Sequence, residues 1–258
     1  RTIFSWSMYD FANQPFTTLV VTFIYGTYFA SAIVPGDNIE YGTALWSRAI
    51  SITAIVVAIL SPFMGAIADK GGYRKISFMF WTWMCVICSI ISYFAGPGEV
   101  FKALFWFVLA NIAFEMGCVF CNSYLPNIAP REKIGRISGY GWSFGYLGGL
   151  LSLIISLFLF VNPEVPAFGF SVENGENYRA INILCGVWLA IFSIPTFLWV
   201  KDSAIREKIS FKIVKESYSE LLMTFKEIKK YKEVFKFLIA RLLYNDGLIT
   251  IFAFGGMY

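Results

Sequence analysis

The chain has 258 residues, of which 57% are hydrophobic and 15% are charged, and its formal net charge is +4. Soluble domains average about 25% charged residues, and here the apolar residues are gathered into long blocks. This composition excludes an ordinary soluble domain and indicates an integral membrane protein, with the lipid bilayer as its surroundings. The positive charge does not indicate a nucleic-acid partner, because the basic residues lie in loops between apolar blocks.

Six apolar blocks are each long enough to cross about 30 Å of hydrocarbon as a helix of roughly 20 residues. They run over residues 11–33, 46–68, 76–95, 103–121, 138–161 and 180–200, and a seventh block begins near Phe237. Helices are expected because the blocks lack the alternation of barrel strands. The predicted fold is therefore all-α, with a six-helix transmembrane bundle at 1–200, a linker at 201–234 and the start of a seventh span at 235–258.

The lysines and arginines are concentrated after the second, fourth and sixth blocks. The positive-inside rule therefore predicts that these loops and the amino terminus are cytoplasmic. Apolar residues of the linker recur at helical spacing and lysines fill the other face, which predicts an amphipathic helix on the inner membrane surface. A calmodulin-type target is the alternative interpretation of the linker. The short loops favour the cytoplasmic membrane of a prokaryote.

The loop between the second and third blocks reads GAIADKGGYRK over residues 65–75. A small residue at its start permits close helix approach, and its glycine pair permits a tight turn. This loop resembles the signature loop of the major facilitator superfamily, although Tyr73 stands where a basic residue is usual. The resemblance implies a latch that holds the two halves of a transporter in one conformation, formed by Gly65, Asp69, Lys70, Gly72 and Arg74. The alternative is an ordinary solvated turn.

A second resemblance narrows the family. Residues 5–16 (SWSMYDFANQPF) and 244–247 (YNDG) resemble the first and seventh helices of the vacuole-effluxer-like branch of the same superfamily. The resemblance implies a fold of two six-helix bundles, so we expect this chain to be the amino-terminal half of a twelve-helix protein. It also implies a monomer and a small-molecule substrate, with amino-acid export favoured, because members of the branch are linked to that activity.

Polar side chains at membrane depth are energetically costly and point to function. The candidates for a substrate or proton pathway are Tyr9, Asp10, Asn13, Asn111, Glu115, Asn245 and Asp246. In the superfamily the first, fourth and seventh helices line a central cavity, so the resemblance implies that these residues converge there. Structural roles are the alternative, and for Asp10 that role would be to cap the first helix.

The chain contains no histidine, so a proton relay within it must use carboxylates. We expect either Glu115 or Asp246 to be the coupling carboxylate, which would take up and release a proton in each transport cycle.

Small residues and prolines are expected to shape the helices. Gly141, Gly145 and Gly149 are spaced by four residues in the fifth block, which predicts a smooth face for close helix contact. Pro15, Pro62 and Pro195 are expected to bend their helices.

Two patterns typical of other functions carry little weight. The cysteine pairs at 85 and 88 and at 118 and 121 resemble halves of a zinc site, but their depths in the membrane would differ by roughly 10 Å. A match to the hydrolase nucleophile motif at 141–145 lacks a histidine partner. We therefore expect no metal, no cofactor and no enzyme activity. The predicted function is a secondary transporter that works by alternating access, and the competing hypothesis is a membrane sensor or scaffold that transports nothing.

Overall fold

The computed structural model describes residues 1–36, 38–70, 73–201 and 231–254, together with positions 219, 223, 226 and 227; the side chains of 66–70 and 252–254 fall outside it. Its long helices are α1 (Thr2–Ile33), α2 (Ile39–Lys70), α3 (Arg74–Ser92), α4 (Val100–Ser123), α5 (Ile134–Ser156), α6 (Glu176–Phe192) and α7 (Lys232–Phe254). Short helical segments continue three of them, with Leu125–Ile128 after α4, Leu157–Val161 after α5 and Ile194–Trp199 after α6. Turns of 3₁₀ helix lie at Arg131–Lys133 and Ala167–Gly169.

Within the described residues, six helices are long and apolar enough to cross a membrane, and they correspond to α1–α6. The prediction of an all-α membrane fold is therefore confirmed. Helix α7 covers the start of the predicted seventh block but is not one of these six spans, so its crossing of the membrane stays a prediction. Most of the predicted amphipathic linker lies outside the described residues.

Helix α1 begins nine residues before the predicted block at 11–33, and α2 begins seven residues before the block at 46–68. Apolar blocks locate the lipid-facing part of a helix, whereas backbone hydrogen bonding continues through residues that neighbouring helices bury. The start of α1 shows this, because Ser5, Trp6, Ser7 and Tyr9 are all at most 2% exposed.

Helix α1 packs against α4, α5 and α6 and lies in the core of the bundle. The Trp6 indole Nε1 donates to the carbonyl of Cys121 on α4 at 2.8 Å. The Thr196 hydroxyl, in the continuation of α6, donates to the carbonyl of Ser5 at 2.6 Å. The Tyr9 hydroxyl is hydrogen-bonded to Thr82 on α3 at 3.0 Å. Polar side chains thus join α1 to three neighbouring helices.

Pro15 changes the hydrogen bonding of α1. Proline has no backbone N–H, so the carbonyl four residues earlier, that of Phe11, loses its helical donor. Trp188 on α6 replaces that donor, because its indole Nε1 donates to the Phe11 carbonyl at 3.1 Å and its ring stacks on the Phe11 ring. After Pro15 the helix widens into a π-helical segment, Phe16–Phe23.

The other two prolines are placed differently. Pro62 lies inside the continuous helix α2. Pro195 lies in the first turn of Ile194–Trp199, next to the interruption of the sixth span at Ser193.

We expect Trp188→Phe to lower the free energy of unfolding by about 1–2 kcal/mol, because the Phe11 carbonyl would be left unpaired inside the bundle. In a Pro15→Ala background the restored backbone N–H can bond that carbonyl, so the same substitution should cost less. A double-mutant cycle measures the coupling between the two substitutions, with the stability of each variant determined by thermal unfolding of the purified protein in detergent. Trp83→Phe is the control, since Trp83 is 44% exposed. Additive effects of the two substitutions would contradict the assignment of Trp188 as the replacement donor for the Phe11 carbonyl.

Candidate functional site

A cavity of about 310 Å³ opens between α1, α4 and α5. Its lining combines two carboxylates, three amides and several aromatic rings. The lining residues are Trp6, Asp10, Asn13, Gln14, Thr17, Phe114, Glu115, Cys118, Asn122, Ser138, Trp142, Gly145 and Tyr146. Asp10, Asn13 and Glu115, which the sequence assigned to a substrate or proton pathway, are thus brought together in one cavity.

Asp10 lies well inside α1. The helix begins at Thr2 with Arg1 at its N-cap, so Asp10 is about 12 Å along the helix axis and the alternative that it caps the helix is wrong. The side chain of Asn13, which lies almost one turn further along the helix, is close to this carboxylate. The Asn13 amide Nδ2 donates to the Cys118 thiol at 3.6 Å. These contacts hold Asn13 between the aspartate and α4.

Glu115 enters the cavity from α4 and is partly buried. Within the described part of the chain its carboxylate forms no hydrogen bond and no ion pair. A carboxylate that has no partner among the described residues is available to a proton or to a bound solute.

The charged side chains that line the cavity are acidic. Among the described residues, its lining includes two acidic residues and no lysine or arginine, and the chain has no histidine. The ion pairs of the described residues are Lys102–Glu99, Arg179–Glu176 and Lys236–Glu233, and none of them involves a residue of the cavity. The cavity therefore presents negative charge that the described residues do not neutralise.

Four predicted pathway residues lie elsewhere. Tyr9 is fully buried, with its ring 4.6 Å from that of Phe78 and its hydroxyl on Thr82, so it is directed toward α3. Asn111 is 7% exposed and is not part of the cavity lining. Asn245 and Asp246 lie exposed on α7, which packs against the Phe16–Phe23 segment of α1.

Four polar residues that line the cavity were not among the residues predicted from the sequence: Gln14, Thr17, Asn122 and Ser138. Thr17 and Asn122 lie seven residues after Asp10 and Glu115 respectively. A spacing of seven places two residues on the same face of a helix, so this spacing could have identified both. Gln14 and Ser138 have no comparable signal.

Glycines of α5 allow α1 to come close. A Cβ atom at Gly141 would meet the Asp10 carboxylate and lie 3.0 Å from the Trp6 ring. At Gly145 it would be 3.5 Å from the Gln14 side-chain oxygen, and at Gly149 2.7 Å from the Thr18 hydroxyl. The three predicted packing glycines thus lie beside α1, and all three lie beside cavity residues, since a Cβ atom at Gly149 would also be 3.2 Å from the Gln14 side chain.

The tightest glycine contact in this helix pair is at Gly148, which was not among the predicted packing glycines. A Cβ atom there would overlap the carbonyl oxygen of Phe11 and lie 3.0 Å from two further backbone atoms of that residue. Backbone atoms cannot move aside as a flexible side chain can, so Gly148 sets the distance between α5 and α1.

The described part of the predicted latch loop joins the ends of three helices. Arg74, at the start of α3, is 7% exposed, donates to Asn127 Oδ1 at 2.8 Å and lies over the Tyr124 ring. Lys75 donates to the carbonyl of Val200 after α6 at 3.3 Å. These contacts brace α3 against the ends of α4 and α6.

The remaining latch residues give less information. Gly72 and the side chains of Asp69 and Lys70 fall outside the described residues. A Cβ atom at Gly65 would meet no heavy atom within 4 Å, so close helix approach at this glycine is not seen among the described residues.

The five cysteines are free thiols. In the part of the chain that the structure describes, no group of three or more cysteines, aspartates and glutamates is placed to hold a metal ion.

A larger opening, of about 740 Å³, lies at the far end of α1 and is bordered by α5 and α6. The described residues that line it are mostly aliphatic and aromatic, and Glu173 is the charged residue among them. It contains none of the predicted site residues, so the smaller cavity is the better candidate site.

Comparison with known families supports the architecture. The family described as "Vacuole effluxer Atg22 like" matches residues 38–136 and 130–257. An uncharacterized MFS-type transporter of Bacillus subtilis, YxiO, is 27% identical over 98% of this chain and 59% of its own length. Autophagy-related protein 22 of Yarrowia lipolytica is 23% identical over 95% of this chain and 51% of its own length. The chain thus spans between half and three-fifths of these relatives.

Among solved structures, the xylose transporter XylE from E. coli, in a partially occluded inward-open conformation, matches with a TM-score of 0.59. The match covers 97% of this chain and 62% of XylE at 13% identity, so it shows a shared fold. The predicted major facilitator fold is therefore confirmed. YxiO and XylE are both described as transporters, which agrees with the prediction that the chain is not an enzyme.

Proposed function

Because the chain belongs to the vacuole effluxer Atg22-like family, we propose that the protein is a secondary active transporter that exports amino acids by alternating access. The observation that carries the proposal is the cavity between α1, α4 and α5, where Asp10 and Glu115 face a space of about 310 Å³. Buried carboxylates are costly within a membrane and are typical of solute and proton pathways. A cavity of this size accommodates a small polar solute.

In this proposal Glu115 is the coupling carboxylate. It lines the cavity, is partly buried and lacks a hydrogen-bond or ion-pair partner among the described residues. Asp246, the other candidate from the sequence, is exposed on α7 and does not line the cavity. Alternating access opens the cavity first to one side of the membrane and then to the other, so that Glu115 binds a proton on one side and releases it on the other.

We further propose that the amino terminus is cytoplasmic and that the protein works as a monomer in a prokaryotic cytoplasmic membrane. The orientation is supported by basic residues at the start of α3 and before α5, including Arg74, Lys75, Arg131 and Lys133. An excess of lysine and arginine marks the cytoplasmic side of a membrane protein.

The proposal is tested with the intact protein in liposomes loaded with a mixed, labelled pool of amino acids. A pH gradient is imposed in either direction, and the compounds that leave are identified. We expect selective efflux that depends on the gradient and stops when an ionophore collapses it, with protein-free liposomes as the control. If folded protein moves no amino acid under either gradient, the transporter proposal fails and a membrane sensor or scaffold becomes the better interpretation.

A further inference from the structure

The chemistry of the cavity indicates which part of a solute this half of the protein can bind. An anionic group would meet two carboxylates and no basic side chain among the lining residues. A cationic group would instead find a charge-assisted hydrogen-bond acceptor, and such bonds are about twice as strong as neutral ones. The lining therefore favours the positively charged end of a solute.

Aromatic rings strengthen this preference. Trp6, Phe114, Trp142 and Tyr146 contribute to the wall of the cavity, and the faces of such rings attract ammonium groups. The Trp6 ring is held in place, because its indole nitrogen is hydrogen-bonded to the Cys121 carbonyl at 2.8 Å. The Trp142 and Tyr146 ring centroids lie 6.0 Å apart on the facing helix.

The Asp10 carboxylate and the Trp6 ring lie side by side. A Cβ atom placed on Gly141 would meet both groups. It would touch the Asp10 carboxylate and lie 3.0 and 3.2 Å from the nearest atoms of the Trp6 ring. Because Gly141 has no side chain, both groups pack directly against the backbone of α5 at this point. The side chain of Asn13 also lies close to the Asp10 carboxylate.

We propose that Asp10 forms the subsite for the primary ammonium group of the transported solute, with the exposed rings of Trp142 and Tyr146 in the wall of the same cavity. This inference rests on the proposed function and extends it by dividing the labour of the two carboxylates: Asp10 binds the solute, and Glu115 carries the coupling proton. The substrate class is therefore primary amines, including zwitterionic amino acids, and excludes acids in which a hydroxyl replaces the ammonium group.

Matched pairs of compounds test the subsite by binding, independently of transport. The purified intact protein is heated with alanine or lactate, and with phenylalanine or phenyllactate, since each pair differs in an ammonium against a hydroxyl group. A ligand that binds the folded state raises the unfolding temperature, and at a fixed ligand concentration the rise is larger for a tighter ligand. We expect stabilisation by at least one amino acid and none by its hydroxy acid. Equal stabilisation by both members of a pair, or by neither member of any pair, would overturn the proposal.

Substitutions test whether the binding of the amino acid depends on Asp10. We expect Asp10→Asn to weaken amino-acid binding by about 10- to 100-fold, as for the loss of a hydrogen bond to a charged group. Asp10→Glu, which keeps the charge, should retain most of the binding. Glu99→Gln removes a carboxylate that is paired with Lys102 outside the cavity, and it should bind as the wild type does. Wild-type affinity in Asp10→Asn would also overturn the subsite.

The binding experiment and the efflux experiment can contradict the subsite and the transporter proposal independently of each other. Selective binding of amines without any efflux would support the subsite and overturn the transporter proposal. Gradient-driven efflux of hydroxy acids at the same rate as amino acids would support transport and overturn the subsite.

Discussion

Replacing Glu115 by Gln is expected to reduce pH-driven efflux by about two orders of magnitude, which is the scale on which the loss of a proton-transferring group acts. The amide has nearly the same shape as the acid, so the cavity keeps its form but can no longer carry a proton at this position. Exchange of labelled for unlabelled amino acid across the membrane, with no pH gradient, should continue, because it requires binding but no proton transfer. The two rates are measured in the same liposome preparation.

A matched control separates coupling from a general loss of charge. Glu132→Gln changes an exposed glutamate of the 3₁₀ turn at Arg131–Lys133 and should leave both rates unchanged. If Glu115→Gln keeps its coupling and Asp246→Asn loses it, the coupling role moves to α7. If both amide variants remain fully coupled, proton coupling through either carboxylate is excluded.

Gly148→Val is expected to lower the stability of the bundle by about 3 kcal/mol or more, at the upper end of the cost of overpacking. The new side chain would occupy the space of the Phe11 carbonyl, and only a shift of α1 or α5 as a whole could make room. Both the helix contact and the wall of the cavity would be lost. Thermal unfolding and the monodisperse fraction of the purified protein report the effect.

Gly139→Val is the control for this substitution. It lies on the same helix and carries the same change in helix propensity, but a Cβ atom there meets no heavy atom within 4 Å. Equal losses of stability in the two variants would show that propensity, rather than contact with Phe11, limits this position.

The fold follows from the sequence more directly than the site does. The apolar blocks identify the six spans because hydrocarbon requires long apolar helices, whatever the neighbouring helices are. The ends of α1 and α2 could not be predicted in the same way. Residues such as Trp6 and Tyr9 are buried by other helices rather than by lipid, and their contacts are not visible in a local pattern.

In the candidate site, too, some residues could be predicted from a local sequence pattern and others depend on how the helices pack. Asp10, Asn13 and Glu115 were selected because polar groups are costly at membrane depth, and the structure places all three on one cavity. Tyr9 satisfies the same criterion but bonds Thr82, because the direction of a side chain depends on the rotation of its helix against its neighbours. Gly148 could not be distinguished from the other glycines of α5, since the distinction depends on where Phe11 lies.

The bond between Trp188 and the Phe11 carbonyl also bears on how the protein is made. Its two partners are 177 residues apart, in the first and last of the six apolar spans. At about 5–20 residues per second, a ribosome takes roughly 10–35 s to synthesise the chain between them. Throughout that interval the nascent first helix carries a carbonyl without its helical donor. Assembly of the bundle therefore cannot finish around α1 until the sixth span has left the translocation machinery.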